Sequence, residues 1–264
     1  MADDHEDLYM RRIGMVIAYD GTAYAGWQKQ ENGPSVQQTI EDTIERLFHE
    51  RVSLMGSGRT DAGVHAQGQV AAMDFSHPIP TDKLKLALNS NLPEDIRIYQ
   101  VFEAAEDFHP RFQAKQKTYI YRIWNGSVMP PSIRQYAVLI DYPLDVDRMN
   151  EAAALLLGEH DFKAFRSSGG MNLSTVRRIY QASFEVTKHT EDQGQEIVFT
   201  VTGNGFLYNM VRIMVGTLLE IGSGKREIDD IRQALDSGDR TWLGPTAPAK
   251  GLCLFCVDYE KKNL

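Results

Sequence analysis

Ten residues constrain this chain more than any other stretch: Ser57-Gly58-Arg59-Thr60-Asp61-Ala62-Gly63-Val64-His65-Ala66. They follow a short apolar run, Val52 to Met55, that predicts a strand. Gly56, Gly58 and Gly63 then surround one carboxylate, Asp61, with Arg59 two residues before it. Glycine makes sharp turns and lets a second backbone approach closely. An aspartate on such a turn is projected rather than packed. Two readings are open on spacing alone: Asp61 caps its own backbone in a β-turn, or it is presented for chemistry.

The chain around this turn is long enough for a real core. Its 264 residues correspond to about two domains of ordinary size. Hydrophobic residues make up 42% and charged residues 24%, values usual for a soluble globular protein. No apolar run approaches the ~20 residues of a membrane span. The start, Met1-Ala2-Asp3-Asp4-His5-Glu6-Asp7, is acidic and lacks the apolar centre of a signal peptide. Residues 1–10 are therefore read as a disordered tail. Cys253 and Cys256 have C-x-x-C spacing, but Leu252 to Val257 reads as a buried strand. Residues three apart on a strand point to opposite faces, so the thiols are expected to diverge. Zinc would need more ligands nearby. Reduced cysteines, no metal and a cytoplasmic location are expected.

The net charge of −8 is the wrong sign for a nucleic-acid partner. Steering, however, depends on the local field. His109 to Asn125 carries Arg111, Lys115, Lys117 and Arg122 with no acid. Phe162 to Tyr180 carries Lys163, Arg166, Arg177 and Arg178, again with no acid. Two such runs in an acidic chain favour one basic groove over scattered solvated faces.

Periodicity divides the chain at about residue 108. In the first part, 11–107, Ile13 to Ala18 is a strand. Ser35 opens a helix with Val36, Ile40, Ile44, Leu47 and Phe48 on one face. Gln69 to Phe75 is a strand, Pro80-Thr81 starts a helix, and Ile96 to Phe102 returns as a strand. The second part, 108–264, repeats a similar order. It has a strand at Tyr119 to Trp124 and a helix at Asp147 to Leu157. Strands follow at Ser174 to Thr187 and Glu196 to Thr202. A long helix at Leu207 to Ile221, a short one at Ile228 to Leu235 and a final strand at Leu252 to Asp258 complete it. Two related β-α-β-β-α-β-like halves with no low-complexity linker predict an α/β (α+β) fold, one compact body of two related domains.

The helix Leu207 to Ile221 has almost no polar face and is expected to be buried, with Arg212 at its middle. A guanidinium stays charged, so Arg212 either snorkels out or meets a carboxylate or phosphate. Asp61 is the partner that explains both residues. A cation beside it keeps it ionised, and only the anion is a nucleophile. If the pair is fully buried, removing Arg212 costs roughly 3–5 kcal/mol. Tyr119 shares a strand face with Tyr121 and Ile123. It is either sheet packing or an aromatic platform for an unpaired base, and its hydroxyl is available for proton transfer. Arg59 reads as a surface cation or a phosphate contact. His109, Arg111 and Phe112, with Arg166, Ser167, Ser168 and Gly169, combine the cations, hydroxyls, aromatic ring and free amides that RNA contacts use. His65 is expected to be a structural hydrogen-bonding residue. Asp20-Gly21-Thr22 lacks a nucleophile at Ala18, and Gly222-Ser223-Gly224-Lys225 follows a helix rather than a strand, so neither is a phosphoryl-transfer motif.

Ser57 to Ala66 closely resembles the signature of the TruA-type tRNA pseudouridine synthases. The likeness extends to Tyr19-Asp20-Gly21-Thr22 with Gly26-Trp27-Gln28, to Ala87-Leu88-Asn89-Ser90 with Leu92-Pro93, and to Phe108-His109-Pro110-Arg111-Phe112. It continues in Lys117-Thr118-Tyr119, Gly203-Asn204-Gly205-Phe206 with Met210-Val211-Arg212, and Ala247-Pro248-Ala249-Lys250-Gly251-Leu252. These segments cover about residues 13 to 258. The resemblance implies that Asp61 is the nucleophile, that Tyr119 lies against the target base and that Arg212 pairs with Asp61. It places Phe108 and Pro110 among the RNA-binding residues. It also implies that the two halves join mainly antiparallel sheets around a central RNA-binding cleft, in a homodimer with a shared cleft that acts without a cofactor on uridines 38 to 40 of the tRNA anticodon stem-loop. The insert Gly169-Gly170-Met171-Asn172 departs from the family's pattern and is expected to be flexible and to alter the tRNA contacts. The rivals are a non-catalytic RNA-binding protein on the same scaffold and a glycosidase, which would ordinarily need a second facing carboxylate.

Overall fold

The computed structural model describes residues 10–31, 33–169, 174–190 and 194–260. The acidic start before Met10 and residues 170–172 of the insert lie outside them.

Strands and helices alternate from the start. β1 (Arg11–Tyr19), α1 (Val36–Phe48), β2 (Met55–Gly56), β3 (His65–Phe75), α2 (Thr81–Asn91) and β4 (Ile96–Glu103) come first. They are followed by β5 (Gln116–Asn125), β6 (Val138–Ile140), α3 (Val146–Ala154), β7 (Gly158–Asp161), β8 (Val176–Thr190) and β9 (Gly194–Gly203). The chain closes with α4 (Met210–Gly222), α5 (Asp230–Ser237) and β10 (Leu252–Asp258). Ser35 caps α1 as its side chain predicts, accepting the Gln38 N–H.

All these strands join one sheet in the order β4-β1-β3-β10-β5-β9-β8-β7, with β2 on β3 and β6 on β5. Each half keeps its first strand central, β1 between β4 and β3, β5 between β10 and β9. Pairing is antiparallel except at β5–β6 and at the seam of the halves. There β10 lies parallel to β3, with Cys253 opposite His65 and Leu254 opposite Ala66. The last strand of the chain thus binds the strand that leaves the signature turn.

One face of the sheet carries the main core. Ile13, Met15, Ile17 and Tyr19 of β1, and Tyr119, Tyr121 and Ile123 of β5, lie on it with residues of α1 to α5. In α4 every residue except Arg212 and Glu220 is buried. A residue at 119 therefore faces the helices, and so does its same-face neighbour at 117.

Three expectations are corrected. The long helix does not begin at Leu207. It starts at Met210, after Asn209 at φ 60°, so Arg212 occupies its first turn rather than its middle. The strand before the signature shrinks to Met55–Gly56, because only these two residues pair with β3. The two thiols do not diverge. Cys253 stands opposite Ile120 and Cys256 opposite Thr118, two residues on one face of β5. A bulge at Phe255 inserts one residue and restores the shared face. Both cysteines are free, and burial pushes both thiols up, Cys253 to about 12.

Residues 244–247 lie against α4 through glycines. A methyl group on Gly216 would stand 1.7 Å from the Pro245 carbonyl oxygen. Gly244 donates its N–H to the Thr217 hydroxyl at 3.0 Å. We expect Gly216→Ala to push this segment off the helix and to destabilise the fold by about 1–3 kcal/mol. Denaturant titration followed by circular dichroism measures it.

Candidate active site

The signature turn is threaded between two other segments. Trp27 N–H donates to the Thr60 carbonyl at 3.1 Å, and Gly26 pairs with Asp61 in an isolated β-bridge. Gly63, at φ 75°, donates to the Tyr24 carbonyl at 3.3 Å. The approach is too close for side chains. A methyl group on Gly26 would lie 2.5 Å from the Thr60 carbonyl oxygen, and one on Gly21 2.0 Å from that of Val64. Glycines in the opening motif are thus spaces that the turn fills.

Buried polar groups hold the turn from below. The Ser57 hydroxyl donates to Gln69 Oε1 at 2.6 Å, and Gln69 Nε2 donates to the Gly58 carbonyl at 2.9 Å. Ser57 and Gln69 are fully buried. Tyr19 and Thr60 share a hydroxyl–hydroxyl bond of 2.7 Å. His65 behaves as a structural residue. Its Nδ1 accepts the Gly21 N–H at 3.0 Å, leaving Nε2–H to face the carbonyls of Gln135 and Lys250.

Held in this way, Asp61 lines a cleft of about 850 Å³ with Tyr119, Phe206, Arg212 and Leu252. Its Oδ2 lies 3.6 Å from Arg212 Nη1. The expected pair therefore forms, but it is not fully buried. The side chains of Asp61 and Arg212 are 28% and 18% exposed. The 3–5 kcal/mol expected for a dry pair does not carry over to one open to the cleft. Arg212 is pinned at two further points, donating from Nε to the Ala247 carbonyl at 2.7 Å and from Nη1 to Asn209 Oδ1 at 2.9 Å. Burial raises the Asp61 carboxyl above its ordinary 3.8, and Arg212 only partly offsets this. The carboxylate is thus poorly solvated, with one fixed cation on one side.

Tyr119 is buried and meets Phe206 edge to face at a ring separation of 5.1 Å. Burial, with the nearby Asp61 charge, raises its phenol well above 10, so it stays protonated at neutral pH. It can offer a ring face and a proton, not a base.

The sequence-predicted RNA contacts divide. Arg59 is exposed on the cleft, and Arg111 and Gly169 line it. His109 and Phe112 pack at 4.2 Å between ring centres, with Phe112 75% exposed and the Arg111 guanidinium 5.7 Å from its ring. Ser167 accepts Asn209 Nδ2–H at 3.0 Å beside the Arg212 anchor, while Arg166 is half-buried and Ser168 exposed. Phe108 and Pro110 are corrected. Phe108 is fully buried against Val70 and Ala72, and Pro110 is buried with its carbonyl accepting the Tyr259 hydroxyl. Their rings are buried, whereas the Phe112 ring of the same motif is exposed. Sequence reasoning missed Phe206, Leu252 and Asn209 as cleft residues. Each sat inside a recognised string, but nothing in its spacing showed which way it faced.

Comparison with known proteins decides the family. A family model described as tRNA pseudouridine synthase matches residues 15–113 and 152–260. The chain belongs to the tRNA pseudouridine synthase family. A relative from Caldicellulosiruptor bescii, named tRNA pseudouridine synthase A, is 48% identical over 95% of this chain and all of its own length. One from Clostridium perfringens, named tRNA pseudouridine synthase A 2, is 46% identical over the same shares. Membership in this synthase family makes the chain an isomerase. Its Asp61–Arg212 contact joins the signature turn of one half to the helix of the other.

Two outcomes follow from this geometry. Gly26, at φ 111°, has no room for a methyl group, so Gly26→Ala should displace the Asp61 backbone and lower kcat about 100-fold. Steady-state assays on tRNA test this. The raised Asp61 carboxyl also has a sign for stability. A carboxylate whose folded pKa lies above its unfolded value opposes folding once ionised; the penalty is full above the folded pKa and vanishes below the unfolded one. We expect Asp61→Asn to raise the melting temperature at pH 7, with the gain shrinking as the pH approaches 4. Thermal melts at both pH values check it.

Proposed function

We propose that this synthase isomerises uridine to pseudouridine at positions 38 to 40 of the tRNA anticodon stem-loop, with Asp61 as nucleophile. One observation carries the reading: a poorly solvated Asp61 carboxylate lies 3.6 Å from a fixed guanidinium inside a cleft large enough for a nucleoside.

The chemistry asks little of the protein. The N1–C1′ bond breaks, the uracil turns over, and a C5–C1′ bond forms. C5 gives up a proton and N1 gains one, so composition is unchanged. A carboxylate that bonds transiently to the ribose C1′ or to the base C6 holds one fragment while the other rotates. Extracting the base from its stack costs a few kcal/mol, less near a loop. Tyr119 supports the flipped ring, and its protonated phenol donates rather than accepts. Arg212 orients the carboxylate and favours its ionised form. Arg59 contacts a phosphate or fills the vacated place in the stack. In this reading two copies form a cytoplasmic homodimer around one tRNA, with His109, Arg111, Phe112, Arg166, Ser167, Ser168 and Gly169 toward the RNA.

The test is incubation with unmodified tRNA followed by nucleoside analysis. Pseudouridine at positions 38 to 40 is expected. Asp61→Ala should abolish product and retain tRNA binding. Binding without product from the wild type identifies a non-catalytic RNA-binding protein. Release of free uracil identifies a glycosidase. Because the anion reacts, kcat/KM should fall with acid through an apparent pKa above 3.8. Arg212→Gln removes the cation that lowers it, so that limb should move to higher pH.

A further inference from the structure

Arg111 and Lys117 of the first acid-free basic run line the cleft, and Arg177 of the second lies against Gly205, the neighbour of the cleft-lining Phe206. Within these runs, Lys115 pairs with Glu260, Arg122 with Glu196 and Arg178 with Glu159. Arg111, Lys117 and Arg177 have no carboxylate partner among the described residues. Lys117 stands opposite Gly203 at the end of β9 and Arg177 lies against Gly205, so these cations gather at one strand end, with Arg111 within Coulombic reach of both. Burial lowers the Lys117 ammonium to about 8, with Arg111 and Arg177 adding to the shift, and burial and Arg111 also lower Arg177. Like charges gathered and partly dehydrated without a counter-charge oppose folding. Such a cluster is stabilised when an anion arrives.

The geometry leaves room for one. Lys117 donates one N–H to the Ser57 carbonyl at 2.6 Å, leaving two donors. Arg177 uses Nη1 on the carbonyls of Ser174 and Val176, leaving Nε and Nη2. Glycines stand beside both cations. A methyl group on Gly58 would lie 3.1 Å from Lys117 Nζ, and one on Gly205 3.5 Å from Arg177 Nε. Lys117 lines the same cleft as Asp61 and sits two residues from Tyr119 on its strand face.

We propose that Arg111, Lys117 and Arg177 form a phosphate clamp that grips an RNA backbone phosphodiester next to the nucleoside held at Asp61. The clamp rests on the tRNA reading above and deepens it. Its three cations come from both basic runs, so it forms only in the folded protein. Lys117 also ties the clamp to the signature turn through Ser57, fixing the distance between the gripped phosphate and the carboxylate.

The test is tRNA binding across a salt series, with labelled unmodified tRNA and the full chain carrying Asp61→Asn so that no turnover is needed. Lys117→Met and Arg177→Met should each weaken binding several-fold and lower the slope of log K against log salt by about 1. Lys117→Arg should restore most of the loss. Lys115→Met, which removes a cation paired with Glu260, should leave the slope unchanged. Arg177→Met does not touch the turn, so its effect separates a clamp from a disturbed Ser57 contact. Unchanged slopes in Lys117→Met and Arg177→Met, or an equal loss in Lys115→Met, overturn the clamp. Neither result bears on whether the wild type makes pseudouridine, so the two readings fail independently.

Discussion

One of the contacts between the halves, Asp61 to Arg212 at 3.6 Å, is the point on which the other arrangements converge. Neither residue is at ease alone. The carboxyl is raised by burial, and the guanidinium cannot discharge by losing its proton. The pair exists because both backbones are held from behind. Asp61 is fixed by the bridge to Gly26 and by the Ser57–Gln69 bonds under its turn. Arg212 is fixed by Ala247 and Asn209, and Ala247 reaches it only because Gly216 lets the 244–247 segment lie on α4. The parallel pairing of β10 with β3 then keeps the two anchors in one sheet.

The site is loaded with unfavourable electrostatics, and its support is placed to match. A poorly solvated anion and two cations without a carboxylate partner among the described residues, Arg111 and Lys117, line one cleft in a chain whose net charge is −8. Both oppose folding when empty of RNA. The surroundings that offset them are dense: an almost wholly buried α4 and hydrogen-bonded polar groups beneath the turn. A rigid scaffold is thus separated from an electrostatically strained site.

Much of the fold was legible in the residues. Strong periodicity in β1, α1, α2 and β5 marked those elements to within a few positions. β6 was missed because three residues carry no period. β7 was missed because Gly158-Glu159-His160-Asp161 has no apolar alternation; it is an edge strand held by pairing with β8. The start of α4 was misplaced because Leu207 to Asn209 is as apolar as a helix turn, yet Asn209 turns into the left-handed region. Phe108 and Pro110 fell within a motif that touches the cleft, but a motif does not tell which of its side chains face inward.

By itself, the amino-acid sequence determined which residue types were available for chemistry and that one aspartate stood among glycines built for a tight turn. It also determined that charge was sorted into acid-free basic runs. These are local properties, set by side-chain chemistry and backbone freedom. Tertiary structure alone decided which groups meet. Asp61 and Arg212 lie far apart in the chain, and no local rule brings them within 3.6 Å. The bulge that turns Cys256 back beside Cys253, the burial that raises Asp61 and the convergence of Lys117 with Arg177 all arise from sheet order and packing. Periodicity specifies a face; only the assembled sheet says what that face meets.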